Sequence, residues 1–345
     1  MSGASPEPLG SAVDRVRIGH LGEVSRCWLG TAAFGGWATP GIAECRRVVE
    51  AALDLGITAF DSADTYSDGE AERILGRVLA SGRAWQRDQV VVATKFGLDH
   101  RRSRAIPVTA TDVRQALEGS LRRLDVDHVD LYSVHRIASI DQVDVLVPTL
   151  QALQDEGKIR AFGTSMATPA ALARARELAA SALATEQPPY SIFVREIERS
   201  VVELCRQDGI AVTAFAPLNG GWLTGKYRPG TPVPPDSRAA VWPIRRDRYD
   251  MGRGPTRRKL ALVAELTRLG DQAGLSPTRL ALGFALSNAD VPVTILGARD
   301  EAQLRQVLDP APAPLGTDLR EAIDRLVPPG STIDPLDLLG YRFAV

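Results

Sequence analysis

Short apolar runs recur along the chain, and each is followed by a stretch whose apolar positions repeat every three or four residues. The runs read as strands at 28–33, 57–61, 90–95, 129–135, 159–165, 183–187, 211–217 and 293–297. Between them the spacing is helical: Val113, Ala116, Leu117, Leu121 and Leu124 share one face, as do Val143, Leu146, Leu150 and Leu153. Repeated strand–helix alternation predicts a parallel sheet of the α/β class. A closed (β/α)8 barrel is the first expectation and a doubly wound open sheet the alternative.

Parity within the strands favours the barrel. Counting back by two from the polar residue that ends a run gives Asp61-Ala59, Lys95-Ala93-Val91 and Ser165-Gly163-Ala161-Ile159, small or apolar residues suited to a barrel interior. No Gly-x-Gly-x-x-Gly follows the first strand, so a Rossmann fingerprint is absent. Residues 13–27 carry Val13, Val16, Ile18 and Leu21 around Gly19 and Gly22, which predicts a hairpin closing the barrel floor. The stretch 218–255 is rich in Gly, Pro and Arg and too long for a simple connection. With few aliphatic residues to anchor it, it is expected to be partly mobile until a ligand supplies contacts. Repeated Pro near the end predicts a C-terminal extension wrapping over the barrel or its mouth. Residues 1–14 read as a disordered tail without the apolar core of a signal peptide, and 15–345 as one domain.

Composition narrows the class without naming a function. A hydrophobic fraction of 44% and a charged fraction of 24% suit a globular chain, and a net charge of -1 argues against general nucleic-acid binding. No apolar run approaches the ~20 residues of a membrane span. Cys27, Cys45 and Cys205 are scattered without metal-like spacing, which reads as idle thiols in a reducing cytoplasm. A cytoplasmic enzyme on a small molecule, monomeric or homo-oligomeric, is the expectation.

The chemistry sits where strands end. Asp61 closes the second strand and Tyr66 follows it, Lys95 closes the third and His135 the fourth. Singly, each has an ordinary reading: a turn residue, a packed phenol, a rim charge, a core histidine. Together they fall on the C-terminal face, where barrel enzymes do their chemistry. A phenol titrates near ~10, and an adjacent ammonium is expected to lower that value while a carboxylate holds the ammonium in place. An imidazole beside them can hydrogen-bond a substrate oxygen. This is a proton-transfer set suited to carbonyl reduction. No covalent nucleophile and no metal cage is visible. A glycosidase would need two carboxylates across the barrel mouth, but the fourth strand ends in His135 and the seventh in Phe215-Ala216-Pro217.

The chain resembles the aldo-keto reductases over nearly its whole length, from Leu29-Gly30-Thr31 to Ile295-Leu296-Gly297-Ala298-Arg299. The motifs are Asp61-x-Ala63-x-x-Tyr66, Gly69-Glu70-Ala71-Glu72, Lys95, Ser120-Leu121-x-x-Leu124-x-Val126-Asp127-x-Val129-Asp130-Leu131 and His135-Arg136. Gly157-Lys158-Ile159-Arg160-x-x-Gly163-x-Ser165 and Pro217-Leu218-x-x-Gly221-x-Leu223-Thr224-Gly225-Lys226-Tyr227 complete the series. The loop style is similar to the longer bacterial and channel β-subunit-like members.

The resemblance implies a (β/α)8 barrel that binds NADP(H) extended and reduces an aldehyde or ketone. Tyr66 would be the general acid, tuned by Lys95 and Asp61, with His135 orienting the carbonyl. Gly30 and Thr31 would border the cofactor, Ser165 and Gln187 hold the carboxamide, and Phe215 stack on the nicotinamide. Ala216, Pro217, Leu218, Gly221, Lys226 and Arg238 would follow the pyrophosphate, and Gly297, Arg299 and Gln303 the adenosine. Met166 replaces the Asn common after the carboxamide Ser, and Gln306 and Val307 replace residues that often contact adenine. Arg299 and the basic loop favour NADP(H) over NAD(H). Some long members reduce keto-deoxysugar nucleotides, which brings that substrate class into view. A cofactor-binding regulatory module of the channel β-subunit type is the other functional class implied.

Overall fold

Each apolar run becomes a strand because its alternate residues have two dry faces to fill, the barrel interior and the layer beneath the helices. The computed structural model describes residues 13–36, 38, 41–81, 87–99, 104–228, 230–241, 243–308 and 310–340. Most of the expected N-terminal tail and the last five positions lie outside the described residues. Strands β1 (Arg15–Ile18) and β2 (Gly22–Ser25) form an antiparallel hairpin. The barrel follows with β3 (Cys27–Gly30), β4 (Ala59–Asp61) and β5 (Val91–Phe96). A small ribbon, β6 (Leu98–Asp99) and β7 (Arg104–Ala105), leaves the rim after β5. Then come β8 (Val129–Val134), β9 (Ile159–Ser165), β10 (Leu183–Gln187), β11 (Ala211–Phe215) and β12 (Val293–Leu296). Parallel pairing runs around the ring, and β12 closes it on β3 with Ile295 opposite Trp28. Closure decides against the open sheet.

The interior is a separate apolar cluster. Ala59, Val91, Ala93, Leu131, Ala161 and Ile295 fill it with Trp28, and Ile18, Leu21 and Val24 of the hairpin plug it from below. The hairpin is therefore the barrel floor, as expected. Ile159 departs from the parity expectation. It is the first residue of its strand and packs in the outer cluster, where the chain arrives from helix Val143–Asp155. A second departure is useful. The register of β9 and β10 shifts between Leu183 and Thr185, so Thr185 and Gln187 align with Gly163 and Ser165. A Cβ at Gly163 would lie 2.1 Å from Thr185 Oγ1. Glycine there makes room for the bulged strand that delivers Gln187 to the rim.

Several motif residues serve the fold. Glu72, fully buried, accepts from Thr94 Oγ1 at 2.6 Å and Arg123 Nε at 2.6 Å, tying helix Glu70–Ala80 to helix Ala110–Leu124. Asp130 accepts the Val92 amide at 2.8 Å and meets Arg87 and Arg160, each at 2.8 Å.

The long connection after β11 is better anchored than its aliphatic content suggests. Trp222, Tyr227 and Tyr249 are buried, and the Trp222 and Tyr249 rings stack at 5.8 Å. The Tyr249 hydroxyl donates to Gly220 O at 2.9 Å. Beneath them lies a charge network. Lys259 meets Asp337 at 2.6 Å and Asp334 at 3.4 Å, Arg248 meets Asp337 at 2.9 Å, and Arg253 meets Asp334 at 2.8 Å. It ties this connection to the C-terminal segment, which crosses the rim to Leu339. The expectation of a poorly anchored loop is corrected: aromatic rings and buried ion pairs replace aliphatic packing.

Candidate active site

Parallel strands bring their C-terminal residues to one rim, so side chains far apart in sequence converge. Asp61 ends β4, Lys95 lies one residue before the end of β5, and His135 follows β8. Tyr66 sits on the turn after β4. That turn is unusual: Ser67 and Asp68 have φ of 50° and 53° before Gly69 at 84°, and Ser67 Oγ donates to Phe34 O at 2.8 Å. The left-handed pair turns the chain sharply after Tyr66 and seats its ring over the rim.

The Lys95 ammonium donates to Asp61 Oδ2 at 2.7 Å and to Ser62 O at 2.6 Å, and lies beside the Tyr66 ring, 5.1 Å from its centroid. An ammonium can only donate, so toward Lys95 the phenol oxygen has no role but acceptor, which frees its own proton for another partner. The Tyr66 and His135 rings meet edge to face at 5.7 Å.

Electrostatics set the protonation states. Burial holds Tyr66 above the usual phenol range, and Lys95 only partly offsets it. This corrects the expectation of a lowered value: in the dry rim, desolvation outweighs the neighbouring ammonium. Burial pulls Lys95 down, but Asp61 and Tyr66, by charge and hydrogen bond, together carry it above its ordinary value. Burial, then Lys95 and Arg136, push His135 well below the usual imidazole range. At neutral pH the site holds a protonated phenol, a charged lysine and a neutral imidazole.

A cavity of about 600 Å³ opens above these groups. Asp61, Tyr66, His135, Gly30, Ser165 and Gln187 line it, as do Phe215, Ala216, Pro217, Leu218 and Gly221. Lys226, Arg238, Gly297, Arg299 and Gln303 continue the lining toward the other end. Two expected residues do not reach its surface. Lys95 stands behind Tyr66, fully buried. Thr31 is buried too, and its hydroxyl is turned to Asp61 O at 3.2 Å and Ser62 Oγ at 2.9 Å, so its side chain braces β4 instead of facing a ligand.

The lining fits a nicotinamide dinucleotide at three points. Gln187 Nε2 donates to Asp61 Oδ1 at 2.9 Å, and Ser165 Oγ donates to Gln187 O at 2.8 Å. Ser165 Oγ and Gln187 Oε1 are left as acceptors, matching the two N–H donors of a primary carboxamide. Phe215, half-buried, supplies an aromatic face. Beyond it, a Cβ at Gly221 (φ 96°) would sit 2.7 Å from Lys226 Cε, so glycine is what admits the ammonium. Burial, then the neighbouring charges of Arg299 and Arg238, lower Lys226, as expected where several cations share one wall.

Sequence reasoning missed residues supplied by distant segments. Arg136 donates to Leu339 O at 2.7 Å and approaches Met166 Sδ at 3.3 Å, so the C-terminal segment walls the catalytic end. Met166 has φ of 54°, a conformation Asn tolerates better than Met. Asp236 lies on the cavity opposite Arg299. Pro-rich composition hinted at the wrapping but gave no contact.

Comparison with known proteins agrees with this geometry. A family model described as "Aldo/keto reductase family" matches residues 27–328. "Aldo-keto reductase YhdN" of Bacillus subtilis is 32% identical over 286 residues, 82% of this chain and 83% of that protein. A "Probable voltage-gated potassium channel subunit beta" of Arabidopsis thaliana is 29% identical over 287 residues, covering 80% and 85%. Among solved structures, the glycerol dehydrogenase AKR11B4 from Gluconobacter oxydans superposes with a TM-score of 0.76 at 33% identity, covering 93% of this chain and 98% of that one. No helix among the described residues is long and apolar enough to cross a membrane. The chain belongs to the aldo/keto reductase family.

Proposed function

We propose that the protein is an NADP(H)-dependent reductase of aldehydes or ketones in which Tyr66 is the general acid. The observation that carries this reading is the Asp61–Lys95–Tyr66 chain ending on the cavity beside a neutral His135. The bound dinucleotide would supply the hydride. Every other task falls to the chain's own residues. The Lys95 charge beside Tyr66 favours release of the phenolic proton, which passes to the carbonyl oxygen as negative charge develops there. The phenolate left behind is stabilised by the Lys95 ammonium, which Asp61 keeps charged. Neutral His135 donates a hydrogen bond to the same oxygen. Ser165 and Gln187 accept from the carboxamide, Phe215 covers the ring, and Lys226, Arg238 and Arg299 meet phosphate charge.

Keto-deoxysugar nucleotides are one substrate class to include. The direct test is a panel of aldehydes, ketones and keto-sugars followed by loss of NADPH absorbance, with fluorescence titration of NADPH and NADH. Turnover of panel members with tighter NADPH binding is expected. A second reading, a cofactor-binding regulatory subunit, draws on the relatives named as potassium channel β subunits. Cofactor binding without turnover of any carbonyl would favour it.

A further inference from the structure

The cavity's basic groups fall in an order. Arg238 lies within electrostatic reach of Tyr66, and Lys226 within reach of Arg238, Arg299 and Asp236. The stripe therefore runs from the catalytic end toward Arg299, where an acid stands. Arg299 Nη1 donates both to the Asp236 backbone oxygen at 2.6 Å and to its Oδ2 at 2.8 Å. The Arg299 backbone amide in turn donates to Gln303 Oε1 at 2.9 Å, which fixes the base of the arginine. Asp236 and Arg299 both line the cavity, yet their side chains remain 66% and 31% exposed.

We infer that Asp236 is a specificity-determining residue that competes with a cofactor 2′-phosphate for Arg299 and itself accepts the 2′-hydroxyl of the unphosphorylated cofactor. The inference rests on the dinucleotide reading of the cavity. Its chemistry is that of two alternatives in one place: an acid that hydrogen-bonds a ribose 2′-hydroxyl, and an arginine that accommodates a 2′-phosphate. Here the two groups are paired. An exposed ion pair of this kind is weak, so a dianionic phosphate can displace the carboxylate, but it must do so at a cost to affinity. When the phosphate is missing, the carboxylate stays and offers the ribose an acceptor. The pair thus narrows the gap between NADPH and NADH that Arg299 alone would open.

The backbone bond makes the idea testable without detaching the loop. Asp236→Asn removes the charge but keeps the carbonyl that Arg299 also grips. Dissociation constants for NADPH and NADH, read by fluorescence titration, are compared in wild type, Asp236→Asn, Asp236→Ala and Arg299→Ala. Both Asp236 variants should raise the NADPH:NADH affinity ratio by about tenfold, tightening the first and weakening the second. Arg299→Ala should collapse the ratio, and adding Asp236→Asn to it should not restore preference. A ratio unchanged within about twofold in Asp236→Asn and Asp236→Ala, with both cofactors still bound, overturns the inference and leaves the dinucleotide reading standing. A folded wild-type protein that binds neither cofactor overturns that reading and the inference with it.

Discussion

Two buried charge clusters support this barrel, one at the strand ends and one under the long connection, and they serve different tasks. At the rim, Lys95 is held by Asp61 and Ser62 and opens through Tyr66 onto the cavity. Under the long connection, Lys259, Arg248 and Arg253 meet Asp334 and Asp337, with Lys259, Asp334 and Asp337 essentially without solvent contact. Both obey the rule that charge leaves water only when paired. They differ in where the chain of contacts stops. The first ends on a hydroxyl facing empty volume, so its polarity can act on something else. The second ends on itself, with the Trp222 ring 5.3 Å from the Lys259 ammonium as its lid. Burial of charge alone is therefore no mark of a reactive site. What marks one is a network with an exit.

The largest effect should come from closing that exit. Tyr66→Phe deletes the hydroxyl and leaves the Asp61–Lys95 pair in place, so turnover should fall by ~10²–10⁴-fold. NADPH affinity should stay within about twofold, because the phenol acts on the substrate oxygen. Steady-state rates with parallel titration measure both. A variant keeping more than about half of wild-type kcat would remove Tyr66 from its role.

Breaking the sealed network should cost stability where the first mutation costs rate. Asp337→Leu takes away the carboxylate of Arg248 and leaves Lys259 to share Asp334 with Arg253, and removal of one partner from a buried cluster costs ~3–5 kcal/mol. Thermal and urea unfolding should show a large loss. Turnover per folded molecule with a small aldehyde should change far less than in Tyr66→Phe. Equal unfolding midpoints for Asp337→Leu and wild type would mean the cluster contributes nothing to holding the C-terminal segment.

How much of this was legible beforehand follows the same division. The strands and helices carry local periodicity, so barrel order and rim residues could be read from Asp61, Lys95 and His135 alone. The hairpin floor was readable because Ile18 and Leu21 each precede a glycine, Gly19 and Gly22. What could not be read was contact between segments far apart in sequence: Arg136 with Leu339, Arg299 with Asp236, and Lys259 with Asp334 and Asp337. No periodicity encodes such pairs. The bulge that shifts Thr185 was hidden as well, because two residues opposing one leaves the alternation locally plausible. The direction of the Tyr66 shift was missed because burial, not the nearest charge, dominates it.

The long connection itself should divide. Its aromatic part, around Trp222, Tyr227 and Tyr249, is buried, whereas Asp236 and Ala240 are exposed. Amide exchange should be slow around the rings with or without cofactor. Added NADP⁺ should slow exchange mainly in residues 230–241, by severalfold, as phosphate engages Arg238 and Arg299. Uniform protection across 218–255 would instead mean that the whole connection orders as one unit.

The smallest effect concerns a buried charge with no cation. Glu186 is fully buried between β9 and β10, where it accepts from Thr164 Oγ1 at 2.5 Å and the Ala167 amide at 3.1 Å. No ion pair for it is found among the described residues. Asp61 and Asp337 each have a lysine beside them; Glu186 has none among the described residues, and desolvation pushes its carboxyl up to about 7. The sign then runs against the usual acid. Between the ordinary glutamate value near ~4.3 and about 7, the folded state keeps a proton that the unfolded chain has lost, so stability falls as pH rises through that window. Above it, the carboxylate is charged in both states and the cost of burying it is fully present. Glu186→Gln keeps an amide in the same place and cannot ionise. Its melting temperature should lie near wild type at pH 5 and exceed it increasingly toward pH 8. A constant difference across that range would mean that Glu186 is ionised in the folded protein throughout, and that its two hydrogen bonds stabilise the charge as well as an arginine would.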